Sequence, residues 1–279
     1  MDDLLHHFAV SLPSHVADTP IATIWKVTQA DGTPAAVKLY KDGSAGEEAP
    51  GFALLRAWDG RGAARLLGRT KGAALLEWLD GPTLGDMVRD GSGETETIEL
   101  GQTARRLHAQ IPMLTTPLPS LADRFNALMT ARYATTCPKA TQVTIDAARG
   151  LAANLLSNQK DIRPLHGDLH HDNIKGSARG FLAFDAKGVM GERTYDLANA
   201  LRNPVGAEDY YRQPAVILHR VKIWSAAFDV SETRLLQWAA AHAALSLAWT
   251  NNGLFDQEEP AEIALIDQFL TFAQQATRA

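Results

Sequence analysis

The segment His166-Gly167-Asp168-Leu169-His170-His171-Asp172-Asn173 constrains this chain more than any other. It sets an Asp and an Asn five positions apart, and Asp185 follows 17 residues beyond Asp168, at the end of the apolar run Leu182-Ala183-Phe184. Arg179-Gly180 supplies a turn ahead of that run, so the chain after Asn173 reads as a hairpin that returns Asp185 beside Asp168. Gly188 then lets the chain turn away. Two carboxylates and an amide gathered in this way suit phosphoryl transfer. Such a reaction needs an attacking hydroxyl held in line, and the charge on the transferred group needs hard cations with oxygen ligands. Asp168 is the candidate partner of the attacking hydroxyl, and Asn173 and Asp185 are the candidate Mg²⁺ ligands.

Other readings of these residues are weaker. Asp and Asn are common turn formers, so either alone carries little information. A metal centre on His166, His170 and His171 is the competing chemistry, because imidazole is a frequent ligand. Adjacent side chains such as those of His170 and His171 rarely converge on one ion, and no His-Glu-x-x-His motif or cysteine pair occurs. Cys137 is the only cysteine, which excludes an intrachain disulfide and suits a reducing compartment. The net charge of −5 gives no support to a nucleic-acid partner, which needs a basic face. Met1-Asp2-Asp3 lacks the basic start of a signal peptide, and the longest near-apolar run, 239–249, is too short to span a bilayer. A cytoplasmic protein without a membrane partner is predicted. The 279 residues are enough for two lobes with cores of their own.

Leu165-His166-Gly167-Asp168-Leu169-His170-His171-Asp172-Asn173 closely resembles the catalytic loop of the aminoglycoside phosphotransferase-like enzymes, which share the protein-kinase fold. Four further stretches are similar to the streptomycin 6-kinase and hydroxyurea phosphotransferase branch of that group. They are Phe184-Asp185-Ala186-Lys187-Gly188, Tyr195-Asp196-Leu197-Ala198, Leu201-Arg202-Asn203-Pro204 and Leu55-Arg56-Ala57-Trp58-Asp59-Gly60-Arg61-Gly62-Ala63. The resemblance runs from about residue 24 to 204. It implies an α+β, two-lobed protein-kinase-like fold, with a small antiparallel β-sheet plus helix in an N-lobe (1–80) and a mainly helical C-lobe (81–279). It also implies transfer of the γ-phosphate of ATP, with Mg²⁺, to a hydroxyl of a small-molecule acceptor such as streptomycin or hydroxyurea. An unrelated metabolite as acceptor, or nucleotide binding without turnover, is the alternative.

The first part of the chain reads as β-rich. Residues 24–27 and 35–40 are strand-like around the turn Asp31-Gly32-Thr33-Pro34. Residues 47–58 carry apolar side chains at helix spacing, although Pro50-Gly51 disturbs the first turn, and 63–67 and 73–79 read as further strands. Lys38, in an apolar strand, is the candidate cation for the α- and β-phosphates, paired with an acidic residue of the following helix. Glu48 shares a face with Phe52 and Leu55 and is preferred over Glu47, with the helical phase left open by Pro50. No Gly-x-Gly-x-x-Gly occurs, so the phosphate-covering turn would lie around 18–23, and the lack of Gly-x-x-x-x-Gly-Lys-Ser/Thr excludes a P-loop. Residues 77–82 look like the interlobe hinge, with the Glu77 carbonyl and the Leu79 N–H as candidate adenine contacts.

Beyond Gly81 helices are expected at 83–89, 95–110, 121–134, 143–156, 212–228, 231–249 and 260–276. Acceptor specificity is expected in 120–160 and 205–260. His108 reads as a packed helix-end histidine, and Asp196 as an N-cap or a brace for the catalytic loop. Lys187 and Arg193 are either contacts for phosphate or acceptor, or solvated charges.

Overall fold

The structure, a computed structural model, describes residues 1–91, 93–256 and 259–278. A short helix, α1 (Asp2–Phe8), leads into β1 (Val10–Asp18), β2 (Ala22–Gln29) and β3 (Pro34–Tyr40). Helix α2 (Ala49–Trp58) follows, and β4 (Leu66–Arg69) and β5 (Ala73–Glu77) complete one antiparallel sheet in the order β1-β2-β3-β5-β4. β3 is its central strand, so side-chain alternation gives both faces work to do. Ala35 and Val37 pack with Val10, Val27 and Leu75 on one face. Ala36, Lys38 and Tyr40 point the other way, towards α2 and the cleft beside it.

Three features of this part differ from expectation. β1 lies outside the expected strands: Val10, Leu12 and Val16 fall at every-second positions, but Pro13 and Ser14 interrupt the pattern and the strand is exposed along eight of its nine residues. It forms as an edge strand, with register shifts against β2, where pairing rather than core packing holds it. The strand expected at 63–67 begins at Leu66 instead, because Ala63 bridges to Ala183 and the Ala64 N–H donates to the Ala183 carbonyl at 2.8 Å. The helix expected from residue 47 begins at Ala49, after a 3₁₀ turn at Gly46–Glu48. Pro50 is at home there, since an N–H in the first turn has no helical partner to lose. Gly51 lets α2 lie directly on the segment after Asp185, where a Cβ would come within 1.7 Å of the Ala186 carbonyl oxygen.

The remainder is mainly helical. It contains α3 (Leu84–Arg89), α4 (Thr95–His108), α5 (Leu121–Thr130), β6 (Arg132–Tyr133) and α6 (Lys139–Ser157). Next come β7 (Ile162–Leu165), β8 (Ile174–Lys175), β9 (Leu182–Ala183) and β10 (Val189–Glu192). The chain ends with α7 (Glu208–Tyr211), α8 (Pro214–Phe228), α9 (Glu232–Thr250), β11 (Leu254–Phe255) and α10 (Pro260–Arg278). α3 and α5 start on capping boxes, Thr83 with Asp86 and Ser120 with Asp123. α5 stops at Thr130, short of the expected 134, because Arg132–Tyr133 pairs with β11. α9 lies at the centre, and its run of buried alanines lets α5, α6, α8 and α10 approach it closely. Among the described residues, no helix is long and apolar enough to cross a membrane.

Two small ribbons frame the loop at 166–173. β7 pairs antiparallel with β10, matching Leu165 to Val189, and β8 pairs antiparallel with β9, matching Ile174 to Ala183. Gly81 packs against the backbone of Gly176 and donates its N–H to the Gly176 carbonyl at 2.9 Å, tying the exit of the sheet to the second ribbon.

Candidate active site

The loop that carries Asp168 is held from within by Asp196. Its carboxylate accepts from the N–H groups of His166 (2.9 Å) and Gly167 (2.8 Å) and pairs with His108 Nε2 at 2.8 Å. Asp196 lies in a 3₁₀ turn (Arg193–Leu197) and is fully buried, so it braces the catalytic loop instead of capping a helix. Burial alone would raise its carboxyl, but the hydrogen bond and charge of His108, the His166 ring and the Gly167 N–H outweigh it and hold the group below the ordinary carboxylate range. Asp196→Ala is therefore expected to destabilise the fold by about 3–5 kcal/mol, the cost of leaving a buried partner unpaired. A depressed native pKa means that this contribution is fully present above the unfolded-state value and is lost as pH falls through the lowered one. Urea unfolding of both proteins at pH 7 and in acid checks this, since the gap between them should narrow in acid.

The histidines of the loop serve structure. His166 Nε2 donates to the Phe184 carbonyl at 2.9 Å while Nδ1 accepts from the Asp168 N–H at 3.2 Å. Burial pushes this imidazole below its ordinary value, so it is neutral and can bond in both senses. His170 Nδ1 accepts from the Asp172 N–H at 3.2 Å, and His171 is fully buried with its ring 5.9 Å from that of Trp224. Among the described residues, no group of three or more His, Cys, Asp or Glu is placed to hold a metal ion, so the competing histidine centre does not form.

The structure gathers Asp168, Asn173 and Asp185. Asn173 Nδ2 donates to the Asp168 carbonyl oxygen at 2.9 Å and stands 3.4 Å from its Oδ2, while Asn199 Nδ2 donates to Oδ1 at 2.9 Å. The Phe184 N–H donates to the Asn173 carbonyl at 2.9 Å, which sets Asp185 beside the loop. Asp185 adopts φ +63°, a left-handed conformation that Asp tolerates better than most residues.

Four charges meet at the cleft. Lys38 Nζ pairs with Glu48 Oε2 at 2.6 Å and also with Asp185 Oδ1. Lys187 Nζ donates to Glu48 Oε1 at 2.6 Å and lies 3.8 Å from Asp185 Oδ2. The Tyr40 hydroxyl donates to Glu48 Oε2 at 2.8 Å, so both oxygens of this buried glutamate are engaged. Glu47 is exposed. Burial would raise the Asp185 carboxyl, yet the charges of Lys38 and Lys187 hold it below its ordinary range. Burial would lower Lys187, and Asp185 and Glu48 outweigh that and raise it. Burial and Glu48 push Tyr40 far up, so it stays a hydroxyl donor. The sequence leaves Lys187 open between a contact for phosphate or acceptor and a solvated charge, and it does not single out Tyr40, although Tyr40 lies two residues after Lys38 and so shares its strand face.

The four charged residues line a cleft of about 470 Å³ whose apolar walls come from Ile21, Ile24, Ala36, Leu76, Leu79 and Phe184. Glu77 and Leu79 also line it, the Glu77 carboxylate being clamped by Arg179 at 2.5 and 3.0 Å. The β1–β2 turn roofs the cleft through Thr19, Pro20 and Ile21 and is pinned by the Lys41 N–H on the Ile21 carbonyl at 2.9 Å. Lys187 belongs to this wall and also to that of a second cavity of about 790 Å³, which reaches Ser120, Arg124 and Trp249.

Comparison with known proteins extends this geometry. The pattern of the family described as aminoglycoside/hydroxyurea antibiotic resistance kinase fits residues 7–253. A streptomycin 3''-kinase of Klebsiella pneumoniae is 36% identical over 211 residues, covering 73% of this chain and 76% of that protein. A hydroxyurea phosphotransferase of Kitasatospora aureofaciens is 30% identical over 267 residues, covering 91% and 71%. A choline/ethanolamine kinase family protein of Mesorhizobium loti shares the fold with a TM-score of 0.65 at 12% identity, over 96% of this chain and 89% of that one. With the family pattern running through both the sheet and the catalytic loop, the chain belongs to the aminoglycoside/hydroxyurea antibiotic resistance kinase family.

Proposed function

We propose that this protein transfers the γ-phosphoryl group of ATP to a hydroxyl of a small molecule, with Asp168 accepting the hydrogen bond and then the proton of that hydroxyl. The observation that carries the reading is the meeting of Lys38, Glu48 and Asp185 in the wall of an apolar cleft, with Asn173 and Asp168 bonded to each other on the adjoining loop. The cleft walls take the adenine, with the Glu77 carbonyl and the Leu79 N–H as its backbone contacts, and residues 77–82 act as hinge between lobes 1–80 and 81–279. Lys38 holds the α- and β-phosphates, and Glu48 orients it.

Asn173 and Asp185 are the proposed Mg²⁺ ligands. The Asn173 amide NH₂ is engaged by Asp168, which leaves its carbonyl oxygen for a cation, and Asp185 adds a carboxylate. One amide oxygen and one carboxylate form a hard donor set of the kind Mg²⁺ takes together with phosphates and water. The ion, when bound, supplies neutralisation of charge on the phosphate oxygens. Cytoplasmic placement is part of the same reading, supported by the single, buried cysteine, Cys137.

The second cavity is the proposed acceptor site. Its carboxylates, Glu47 and Asp123, are matched by Arg124 and Lys187, and Trp249 adds an aromatic wall. This balance does not by itself select a polycation, so hydroxyurea belongs in the acceptor screen beside the aminoglycosides named by the relatives. The test is ADP release with streptomycin, other aminoglycosides, hydroxyurea and sugar or amino-alcohol metabolites. Acceptor-dependent ADP release is expected, whereas stabilisation by Mg–ATP without turnover on any acceptor would leave only a nucleotide-binding protein.

Lys38→Met should weaken ATP use far more than it weakens folding. Glu48→Gln should reproduce part of that defect, and the double variant should be less than additive because the pair acts as one unit. Glu47→Gln, on an exposed side chain outside the nucleotide cleft, is the control for KM for ATP alone, since Glu47 also lines the proposed acceptor site. KM for ATP and thermal melting of the four variants decide it, and additivity of Lys38 with Glu48 would show that they work separately.

A further inference from the structure

We propose that Asn199 is a positioning residue for Asp168 and that Asn203 sets the orientation in which Asn199 does this. The proposal rests on the reading of Asp168 as the group that meets the acceptor hydroxyl. Asp168 Oδ1 accepts from Asn199 Nδ2 at 2.9 Å, whereas Oδ2 has only the longer 3.4 Å approach of Asn173. One carboxylate oxygen is thus anchored, which fixes the plane of the group and leaves Oδ2 as the oxygen for the hydroxyl.

An amide can present either end, and its oxygen turned towards a carboxylate would repel it. Asn203 removes that choice. Its Nδ2 donates to Asn199 Oδ1 at 3.0 Å and to the Asn199 main-chain oxygen at 2.8 Å. With its oxygen committed to Asn203, Asn199 must turn its NH₂ towards Asp168. Asn203 is itself held from behind, since its main-chain oxygen accepts from Arg220 Nη1 at 2.9 Å. Arg220 is buried and stands 3.8 Å from the buried carboxylate of Glu96. Asn199 and Asn203 are only 9% and 5% exposed, so water competes little for these bonds and the chain of amides keeps one direction. A series of polar contacts therefore runs from Glu96, on α4, through Arg220, on α8, to the carboxylate that faces the acceptor. In this arrangement Asn199 acts on the reaction only through Asp168.

The experiment uses the full chain with streptomycin as acceptor and, in parallel, with water as acceptor by measuring slow ADP release. Asn199→Leu should lower kcat roughly 10- to 100-fold, the scale expected when a reacting group loses its alignment. KM for ATP and the affinity for Mg–AMP-PNP should stay unchanged. The same substitution in an Asp168→Asn background should cost nothing further, because the group it aligns has already gone. Asn203→Leu, which frees Asn199 to flip, should give a smaller loss confined to kcat. Asn199→Ser carries the same cycle if the leucine variant does not fold. A loss that is equal in both backgrounds, or one that falls on KM with kcat intact, would overturn the proposal. Unimpaired Asp168→Asn, or a wild-type protein with no turnover of either kind, would instead overturn the reading of the site on which it rests.

Discussion

Asp185→Ala is expected to abolish productive Mg–ATP use, with turnover falling roughly 10³-fold or more as several kcal/mol of charge stabilisation is lost. Phe184–Gly188 offers no other anionic oxygen, and the carboxylate of Asp185 sits between Lys38 and Lys187, in the wall of the apolar cleft. Removing it leaves two lysines sharing Glu48 alone, a local excess of positive charge. On the proposed reading, the cleft then keeps attraction for phosphate while losing its proposed metal ligand. Calorimetry should accordingly show that Asp185→Ala weakens binding of AMP-PNP with Mg²⁺ more than binding without it. Asn173→Ala removes the proposed neutral ligand and should blunt the Mg²⁺ titration less completely. An unchanged Mg²⁺ titration in Asp185→Ala would place the metal elsewhere.

Asp168→Asn should lower kcat by roughly 10²-fold or more, the scale for a positioned acid–base group, while leaving fold and nucleotide affinity intact. The substitution is isosteric, and the oxygen of the new amide can still accept from Asn199 Nδ2, so the loop keeps its bond to that residue. Asp168 lies outside the lining of the proposed nucleotide cleft, which is why ATP affinity should not follow kcat. Steady-state kinetics with ATP varied, thermal melting and AMP-PNP affinity test the three statements together. Turnover like that of wild type would remove Asp168 from the chemistry.

Legibility in the sequence followed the range over which each contact acts. The proximity of Asp168, Asn173 and Asp185 is close to local, since a short loop and a two-stranded ribbon bring them together and their turn residues are visible. The inward face of β3 could be read from alternation, which put Lys38 where it needs a partner. Whether Glu47 or Glu48 pairs with it could not be read that way. Both lie in a 3₁₀ turn outside the regular period of α2, and only the placement of that turn against β3 buries Glu48 and exposes Glu47. β1 escaped because Pro13 and Ser14 interrupt its short apolar alternation and edge pairing, which the sequence does not show, holds the strand in place.

By itself, the amino-acid sequence determined the α+β order of elements, the catalytic-loop motif and the family, because these depend on short-range periodicity and on residues close together along the chain. The tertiary structure alone decided how remote side chains share the same groups. Lys187 meets Glu48 across 139 positions, Asn199 meets Asp168 across 31, and His108 reaches Asp196 across 88. Such contacts carry no spacing signal. They arise where α2 lies on the segment after Asp185 and where α4 and the 193–202 turns close behind the catalytic loop, so they depend on the packing of elements against one another.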